Sequence, residues 1–437
     1  MKYIIFAALS ISVVNAQSGR QYGPGRIWWE AGKGGALALQ EEYDDPTGLL
    51  GLINAKGYVR TDGNAFFEPL GSNGRGCITC HQPSNAMSVT AVAVQQRWTE
   101  TAGKDPLFAA VDGSNCPDLP QADPRSHSLL LERGLFRIGL PWTAKESAAA
   151  EFEIELVRDP AGCNNSKLYG MKSPNPAVSV YRRPRIAANL KHIAEGPAGK
   201  SFMADSREPT LRSQAINAAM IHEEAKAQPT EEQLQQILDF ETQIFVAQYS
   251  DLHGGLTEET GGPHLGRETL VKADKGLPDA SSFDTWKNPD INSDMQRLFR
   301  ASVARGSAVF STRCASCHQS GSERWKDVGT SNVASEKQAA ADLPLFRITC
   351  NSTATPHAKW GRVIYTQDPG RALISGRCAD VGSIVVPQLR GLSARAPYFS
   401  NGLAPTLEAI VEFYDQRGGI HLDKNEKQDL VNFLSVL

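Results

Sequence analysis

Apolar residues recur at helical spacing near the C-terminal end of the chain, in the stretch APTLEAIVEFYDQRGG. One face of a helix through this stretch would carry its apolar residues, Leu407, Ile410, Val411 and Tyr414. Pro405 is typical of a first helical turn, and the Gly-Gly pair is typical of a helix end. The pattern therefore predicts a helix that turns the phenol of Tyr414 towards the interior.

Three further segments show the same period. Residues 229–249, PTEEQLQQILDFETQIFVAQY, begin with a capping box of Thr230 and Gln233 and have an apolar face made of Leu234, Ile237, Phe240, Ile244 and Phe245. The other two are SDMQRLFRASVARGSAVF (residues 293–310) and the C-terminal DKNEKQDLVNFLSVL (residues 423–437). All three segments are predicted to be helices.

The region from about 98 to 200 has a different pattern. It is rich in Pro and Asp-Gly turn signals, and only EFEIELVRD (residues 151–159) alternates apolar and charged residues in the way that predicts an exposed strand. DLHGGLTEETGGPHLG (residues 251–266) reads as a linker. We expect a mainly α chain with an N-terminal domain (17–250) that holds this loop-rich insertion with a little β structure, a linker (251–290) and a C-terminal domain (291–437).

Residues 1–16 resemble a signal peptide. Lys2 precedes the apolar run YIIFAALSISVV, and Val14 and Ala16 place small residues before a cleavage point at Gln17. A membrane anchor is the less favoured alternative because the run is short, and no later apolar run approaches the ~20 residues that span a bilayer. We expect a periplasmic or extracellular protein with no transmembrane segment in the mature chain.

Overall composition excludes one broad class of partner. The chain has 437 residues and a net charge of −3, with 45 Lys and Arg against 48 Asp and Glu. Nucleic-acid binding needs a basic excess, which this chain lacks. The sequence is compatible with a bound calcium ion but does not indicate one.

Two short motifs carry the clearest chemistry. Both follow the pattern C-x-x-C-H: Cys77-Ile-Thr-Cys80-His81 and Cys314-Ala-Ser-Cys317-His318. In this pattern two thiols add across the vinyl groups of haem and the histidine binds the iron. A thioredoxin-like redox site needs no following histidine, and a zinc site shared by both motifs is the remaining alternative. The sequence predicts two covalently bound c-type haems in two cytochrome c-like domains, with His81 and His318 as iron ligands.

Four cysteines remain outside these motifs: Cys116, Cys163, Cys350 and Cys378. An exported protein is expected to use them in two structural disulfides. Sequence order suggests one disulfide in each half, Cys116–Cys163 and Cys350–Cys378, although four cysteines allow three connectivities.

The C-terminal region resembles a known family. LRGLSARAPYFSNGLAPTLEAIVEFYDQRGG (residues 389–419) is similar to the second-domain signature "LRN…TAPYFHDG…TLEEVVxFY" of the bacterial dihaem cytochrome c peroxidase / MauG superfamily. The resemblance implies that Tyr414 supplies the sixth ligand of the C-terminal haem, a position held by Met in the peroxidases and by Tyr in MauG-like enzymes. Ser400 stands where the family signature has a histidine.

The first half resembles the same family over residues 202–225, FMADSREPTLRSQAINAAMIHEEA. The family pattern there is "FWDGRxxxLExQAxGPxxxPxEM". An ungapped alignment puts Gln214 on the family's Gln, Arg207 on its Arg and Glu224 on its distal-pocket Glu. Ala204 falls on the Trp that lies between the two haems in that family, so the resemblance does not extend to a Trp-mediated electron path.

The predicted iron sites differ in their sixth ligand. No methionine follows the second motif, which favours Tyr414 as a phenolate ligand over its alternative as a core tyrosine. No histidine lies between His81 and His127, so we expect the first haem to be open, with His222 or His127 as the alternative ligands. An open site needs a distal acid–base group, and Glu224 is the candidate, with His222 as the alternative.

These expectations lead to one leading functional hypothesis. The chain is predicted to be an exported dihaem peroxidase-like oxidoreductase that reduces hydrogen peroxide at the N-terminal haem. Electrons would pass through the C-terminal His/Tyr haem from a donor protein or a substrate protein. The alternatives are a haem-dependent oxygenase and a non-catalytic periplasmic electron-transfer dihaem cytochrome.

Overall fold

The computed structural model describes residues 25–142, 150–193, 195–196, 199–259, 261–274, 276–318, 325–327 and 329–437. The predicted signal peptide, residues 1–16, lies outside the described residues. The chain is about 35% helix and 17% strand, so its fold is mixed rather than mainly α as the sequence had suggested. The strands that account for the difference are short and form several small sheets.

The described residues form ten α-helices. They are α1 (Ala91–Thr101), α2 (Ser128–Arg133), α3 (Leu211–His222), α4 (Glu231–Gln243), α5 (Arg267–Lys272), α6 (Asp294–Arg313), α7 (Ala315–His318), α8 (Ala372–Ser375), α9 (Leu407–Gly418) and α10 (Lys424–Ser435).

The described residues also form fifteen β-strands. They are β1 (Ala36–Leu37), β2 (Gln40–Asp45), β3 (Gly48–Asn54), β4 (Val59–Arg60), β5 (Phe136–Pro141), β6 (Phe152–Arg158), β7 (Ala177–Arg182), β8 (Glu195–Gly196), β9 (Gly199–Lys200), β10 (Ile244–Ser250), β11 (Trp325–Lys326), β12 (Asn332–Val333), β13 (Leu345–Cys350), β14 (Val363–Thr366) and β15 (Ile384–Val385). All of their pairings are antiparallel.

Helix α9 contains Tyr414 and matches the helix predicted from the apolar period. It begins after Thr406, whose side chain accepts a hydrogen bond from the Ala409 N–H, and it ends at Gly419 with a φ of 58°. A side chain at that φ would be strained, which explains the glycine. Helices α6 and α10 also lie where the period predicted them, and they pack with α9 into one apolar core around Phe433.

The segment after α4 departs from the prediction. The helix was expected to continue through Phe245, but it ends at Gln243, and residues from Ile244 onward form β10 beside β3. Ile244 and Val246 enter one core cluster while Phe245 and Ala247 enter another, which is the period of a strand. A strand partner therefore overrides a helical pattern that the apolar residues alone would allow.

The predicted strand EFEIELVRD is β6, and its partner lies in the other half of the chain. It pairs with β13, where Ile154 stands opposite Ile348, and it completes a four-stranded sheet of order β12-β14-β13-β6. Disulfides link Cys116 with Cys163 and Cys350 with Cys378, the connectivity that sequence order suggested. Within the described residues, the helices are too short or too polar to cross a membrane.

Candidate functional site

Both C-x-x-C-H motifs line a single cavity of about 690 Å³. Its wall includes Cys77, Cys80 and His81 from the first motif, and Cys314, Cys317 and His318 from the second. Tyr414 of α9 lines the same space. A volume of this size is within the usual range for cofactor and ligand sites.

The first motif folds as a single 3₁₀ turn, Cys77–Thr79, with Cys80 at its end. Gly76 precedes the turn, and a Cβ at that position would lie 2.7 Å from the carbonyl oxygen of Glu68, so the close approach requires glycine. The Nδ1 atom of His81 lies 3.0 Å from the carbonyl oxygen of Met87. A proton held there leaves the lone pair on Nε2, and burial lowers the pKa of His81, so the neutral form that binds metals is favoured.

The second motif spans the end of α6 and the short α7. The Cys314 N–H donates to the carbonyl oxygen of Phe310 at 2.8 Å, and the His318 N–H donates to that of Cys314 at 3.2 Å. Burial lowers the pKa of His318 to about 4, against an opposing hydrogen bond with the carbonyl of Pro387. This imidazole is therefore also neutral at physiological pH.

Tyr414 lies in an aromatic setting. Its ring makes edge-to-face contacts with Phe399 at 6.0 Å and with Phe413 at 5.6 Å between ring centroids. Burial raises its pKa well above the usual value for a tyrosine, and the neighbouring Cys314 and Cys317 add to the shift. In the chain alone the phenol is thus protonated, and only a bound cation would favour its phenolate form.

The residues of the cavity fit c-type haem. Among the described residues, the four motif cysteines are the ones without a disulfide, so their thiols are free to form thioethers. Both motif histidines are buried in neutral form, as iron ligands must be. The described residues hold no cluster of three or more His, Cys, Asp or Glu side chains arranged for a bare metal ion, which argues against the zinc alternative there.

A hydrogen-bonded charge group stands beside the first motif. Arg75 forms an ion pair with Asp112, and Nδ1 of His222 lies 2.6 Å from the other oxygen of that carboxylate. Burial favours the neutral carboxyl, but Arg75 and His222 outweigh it, so the net effect lowers the pKa of Asp112. His222 lines the cavity, and its charge also contributes to the lowered pKa of His81. The sequence therefore named His222 correctly as a residue near the first motif but gave no sign of Asp112.

The structure differs from expectation at the two glutamates after α3. Glu224 is exposed, accepts a hydrogen bond from Asn73 Nδ2 at 3.1 Å and does not line the cavity. Glu223 is buried in the cavity wall, where it accepts the Leu70 N–H at 3.1 Å and contacts the Cys77 sulfur at 3.4 Å. The left-handed backbone at Glu224, with a φ of 54°, sends the two neighbouring side chains in different directions.

Two buried carboxyl groups face the cavity. Burial raises the pKa of Glu223 to about 7, an effect that hydrogen bonds from Leu70 and Cys77 partly offset. Burial also raises the pKa of Glu241, on α4, to about 8. Sequence reasoning missed Glu241 because it lies within a helix whose pattern marked only its apolar face.

The remaining predicted residues occupy distinct places. Gln214 and Ala204 line the cavity, so the position of the family's tryptophan holds a methyl group in the cavity wall. His127 is fully buried elsewhere, with both ring nitrogens within 3.0 Å of backbone carbonyl oxygens. Among the histidines considered for the first motif, His222 is thus the one that lines the cavity.

Comparison with known proteins gives distant relatives of one kind. The chain is 28% identical over 185 residues to cytochrome-c peroxidase IdrP1 of Pseudomonas sp. (strain SCT), which is 37% of this chain and 45% of that protein. It is 40% identical over 77 residues to cytochrome-c peroxidase IdrP2 of Denitromonas iodatirespirans, 16% of this chain and 21% of that protein. The chain thus spans less than half the length of these relatives. No protein-family model matches it.

A solved structure of Kuenenia stuttgartiensis hydrazine synthase is 16% identical and covers 59% of this chain and 73% of its own, with a TM-score of 0.31. That score is too low to support an argument. The peroxidase relatives support a cytochrome c peroxidase family, a peroxidase-like haem oxidoreductase and c-type haem for this chain.

Proposed function

We propose that this chain is an exported, dihaem, MauG-like peroxidase that reduces hydrogen peroxide with electrons from a donor protein or from the side chains of a substrate protein. One observation carries the proposal: two C-x-x-C-H motifs open into the same cavity. The names of its relatives add support, since they are cytochrome-c peroxidases. Reduction of one hydrogen peroxide to two waters consumes two electrons and two protons, so the site must manage both.

Haem iron supplies the position where peroxide binds and exchanges electrons. His81 is the proposed ligand of the iron at the first motif, and His318 and Tyr414 are the proposed ligands at the second. With Tyr414 on one side and His318 on the other, the second iron has no open position for peroxide. The first motif is therefore the proposed place of reaction.

The chain's own residues would deliver the protons. Glu223 has a pKa of about 7, which allows it to give up and recover a proton at physiological pH. His222 is a second acid–base group, held by Asp112 through Nδ1 so that Nε2 is left for the cavity. Glu224, the candidate from the family alignment, would act here only if its side chain turned inward.

The test is a peroxide assay on the haem-loaded full-length protein with ferrocyanide as a small electron donor. We expect two ferrocyanide ions to be oxidised for each peroxide consumed. Peroxide-independent oxygen incorporation into an organic substrate would indicate an oxygenase. Fast electron exchange with no peroxide consumption would indicate an electron carrier. Either result would refute the peroxidase proposal.

A further inference from the structure

Three arginines that no iron ligand or acid–base role requires line the same cavity: Arg183, Arg185 and Arg395. We call them the arginine cluster. Arg183 is buried, and the other two are half-buried. Arg183 and Arg185 follow β7, and Arg395 belongs to the segment before α9, so the fold brings the two halves of the chain together here.

The hydrogen bonds of the cluster go to backbone carbonyls. Arg183 donates through Nη2 to the carbonyl oxygens of Val89 at 2.7 Å and Arg395 at 2.9 Å. Arg395 donates through Nη2 to Gln388 at 2.9 Å and through Nε to Gly391 at 3.1 Å. Arg185 donates through Nη2 to the carbonyl of Val385. These contacts fix the guanidinium groups but do not neutralise them.

Arg182 shows what a neutralised arginine looks like in the same segment. Its guanidinium forms ion pairs with Asp368 and Asp205, both at 2.6 Å. Among the described residues, no carboxylate lies within ion-pair distance of the arginine cluster. Since a buried cation without a counter-charge is costly, three such cations beside one cavity indicate that an anion belongs there.

The charges of the cluster also act on one another. Burial lowers the pKa of Arg183 to about 9, and the charge of Arg395 adds to the shift. Burial lowers the pKa of Arg185 to about 10, with the charges of Arg182 and Arg395 as further causes. Nη1 of Arg395 and both Nε and Nη1 of Arg185 form no hydrogen bond with the described residues, so donors remain available for a ligand.

We propose that the arginine cluster binds the propionate carboxylates of haem in this cavity. The inference rests on the haem content of the proposed function. Each haem carries two carboxylates that the cysteines and the iron ligands do not engage, and guanidinium groups pair with carboxylates through two parallel hydrogen bonds. The cluster thereby fixes the edge of the haem opposite its covalent attachment, with residues from both halves of the chain.

The first test compares Arg185→Gln and Arg395→Gln with the parent in the haem-loaded protein. A matched control is Arg137→Gln, because Arg137 is also held by a backbone carbonyl and a hydroxyl but does not line the cavity. Removal of a positive charge beside a haem disfavours the ferrous form. We expect a lower midpoint potential for at least one haem in both cavity variants, an unchanged potential in the control and partial recovery in Arg185→Lys. Unchanged potentials in both cavity variants would overturn the proposal.

A second test covers glutamine variants that fail to fold. A crystal structure of the haem-loaded parent is expected to show propionate oxygens about 2.7–3.0 Å from nitrogen atoms of the cluster. Propionates directed elsewhere, with a soluble anion on the arginines, would refute it. Neither test involves peroxide, so a protein that binds haem but does not consume peroxide would contradict the proposed function and leave this inference standing. A parent that contains no haem would contradict both.

Discussion

The surroundings of the two C-x-x-C-H motifs differ in their chemistry, although both motifs line one cavity. The first motif lies among groups that exchange protons or hold charge: Arg75, Asp112, His222, Glu223 and Glu241. The second lies against aromatic rings, with Phe310 6.2 Å from the ring of His318 and Tyr414 between Phe399 and Phe413. An environment rich in acid–base groups suits proton-coupled chemistry, whereas an aromatic one suits an iron that only exchanges electrons.

This difference teaches that the repeated motif does not set the role of each site. The residues that distinguish the sites come from elsewhere in the sequence: Asp112 from the loop-rich insertion, His222 and Glu223 from the end of α3, and Tyr414 from α9. The division of labour is therefore a property of what packs on each motif.

Removal of one pair of motif cysteines is expected to have the largest effect. Cys314→Ala/Cys317→Ala should lower the haem content of the purified chain from two to one, because the thioethers of the second haem cannot form. Cys77→Ala/Cys80→Ala is the matched variant for the first site, and it should also abolish peroxide consumption. The pyridine haemochrome assay measures both. An unchanged haem content in either variant would contradict the assignment of a haem to that motif.

Exchange of Glu223 for glutamine should have the next largest effect. Since Glu223 is the glutamate in the cavity wall, Glu223→Gln is expected to lower kcat by about 10²–10⁴-fold. Glu224→Gln is the control, one residue away and exposed, and it should stay within about twofold of the parent. Steady-state peroxide kinetics decide between the two. A large loss in the Glu224 variant alone would assign the role to that residue.

Substitution of Tyr414 should change the second site without loss of haem. Tyr414→Phe removes the proposed phenolate ligand while Cys314, Cys317 and His318 still hold the group. We expect a changed electron paramagnetic resonance signal of the ferric protein. Tyr398→Phe is the control, because Tyr398 is a second buried tyrosine of the same cavity. Identical spectra of the Tyr414 variant and the parent would mean that the phenol only packs.

The smallest expected effect concerns stability near the first motif. Because burial raises the pKa of Glu241 to about 8, the folded chain binds more protons than the unfolded chain between the two pKa values. The stability associated with this group is complete below a pH of about 4.5 and is lost as the pH rises through about 8, by at most about 1.4 kcal/mol per pH unit.

Urea unfolding of Glu241→Gln at pH 5 and pH 8 measures this effect. The free energy of unfolding should change less between these pH values in Glu241→Gln than in the parent. Glu232→Gln, an exposed position on the same helix, should behave as the parent does. An equal pH dependence in Glu241→Gln and the parent would show that Glu241 does not hold a proton in the folded chain.

Local patterns predicted much of this molecule. The apolar period located α9, α6 and α10, alternation located β6, and spacing in the sequence identified the haem motifs. These features succeed because each depends on residues a few positions apart. The helix expected to continue past Gln243 failed for the opposite reason, since β3, far away in sequence, converts the segment after it into a strand.

The sequence by itself determined the chemistry of attachment: which cysteines and histidines are available for haem, and that Tyr414 faces inward. Only the tertiary structure decided that both motifs open into one cavity, that Glu223 rather than Glu224 lines it, and that arginines from both halves face the same space. The physical reason is that burial and charge pairing depend on contacts between distant segments. A carboxylate or guanidinium acquires its role from the groups that surround it after folding.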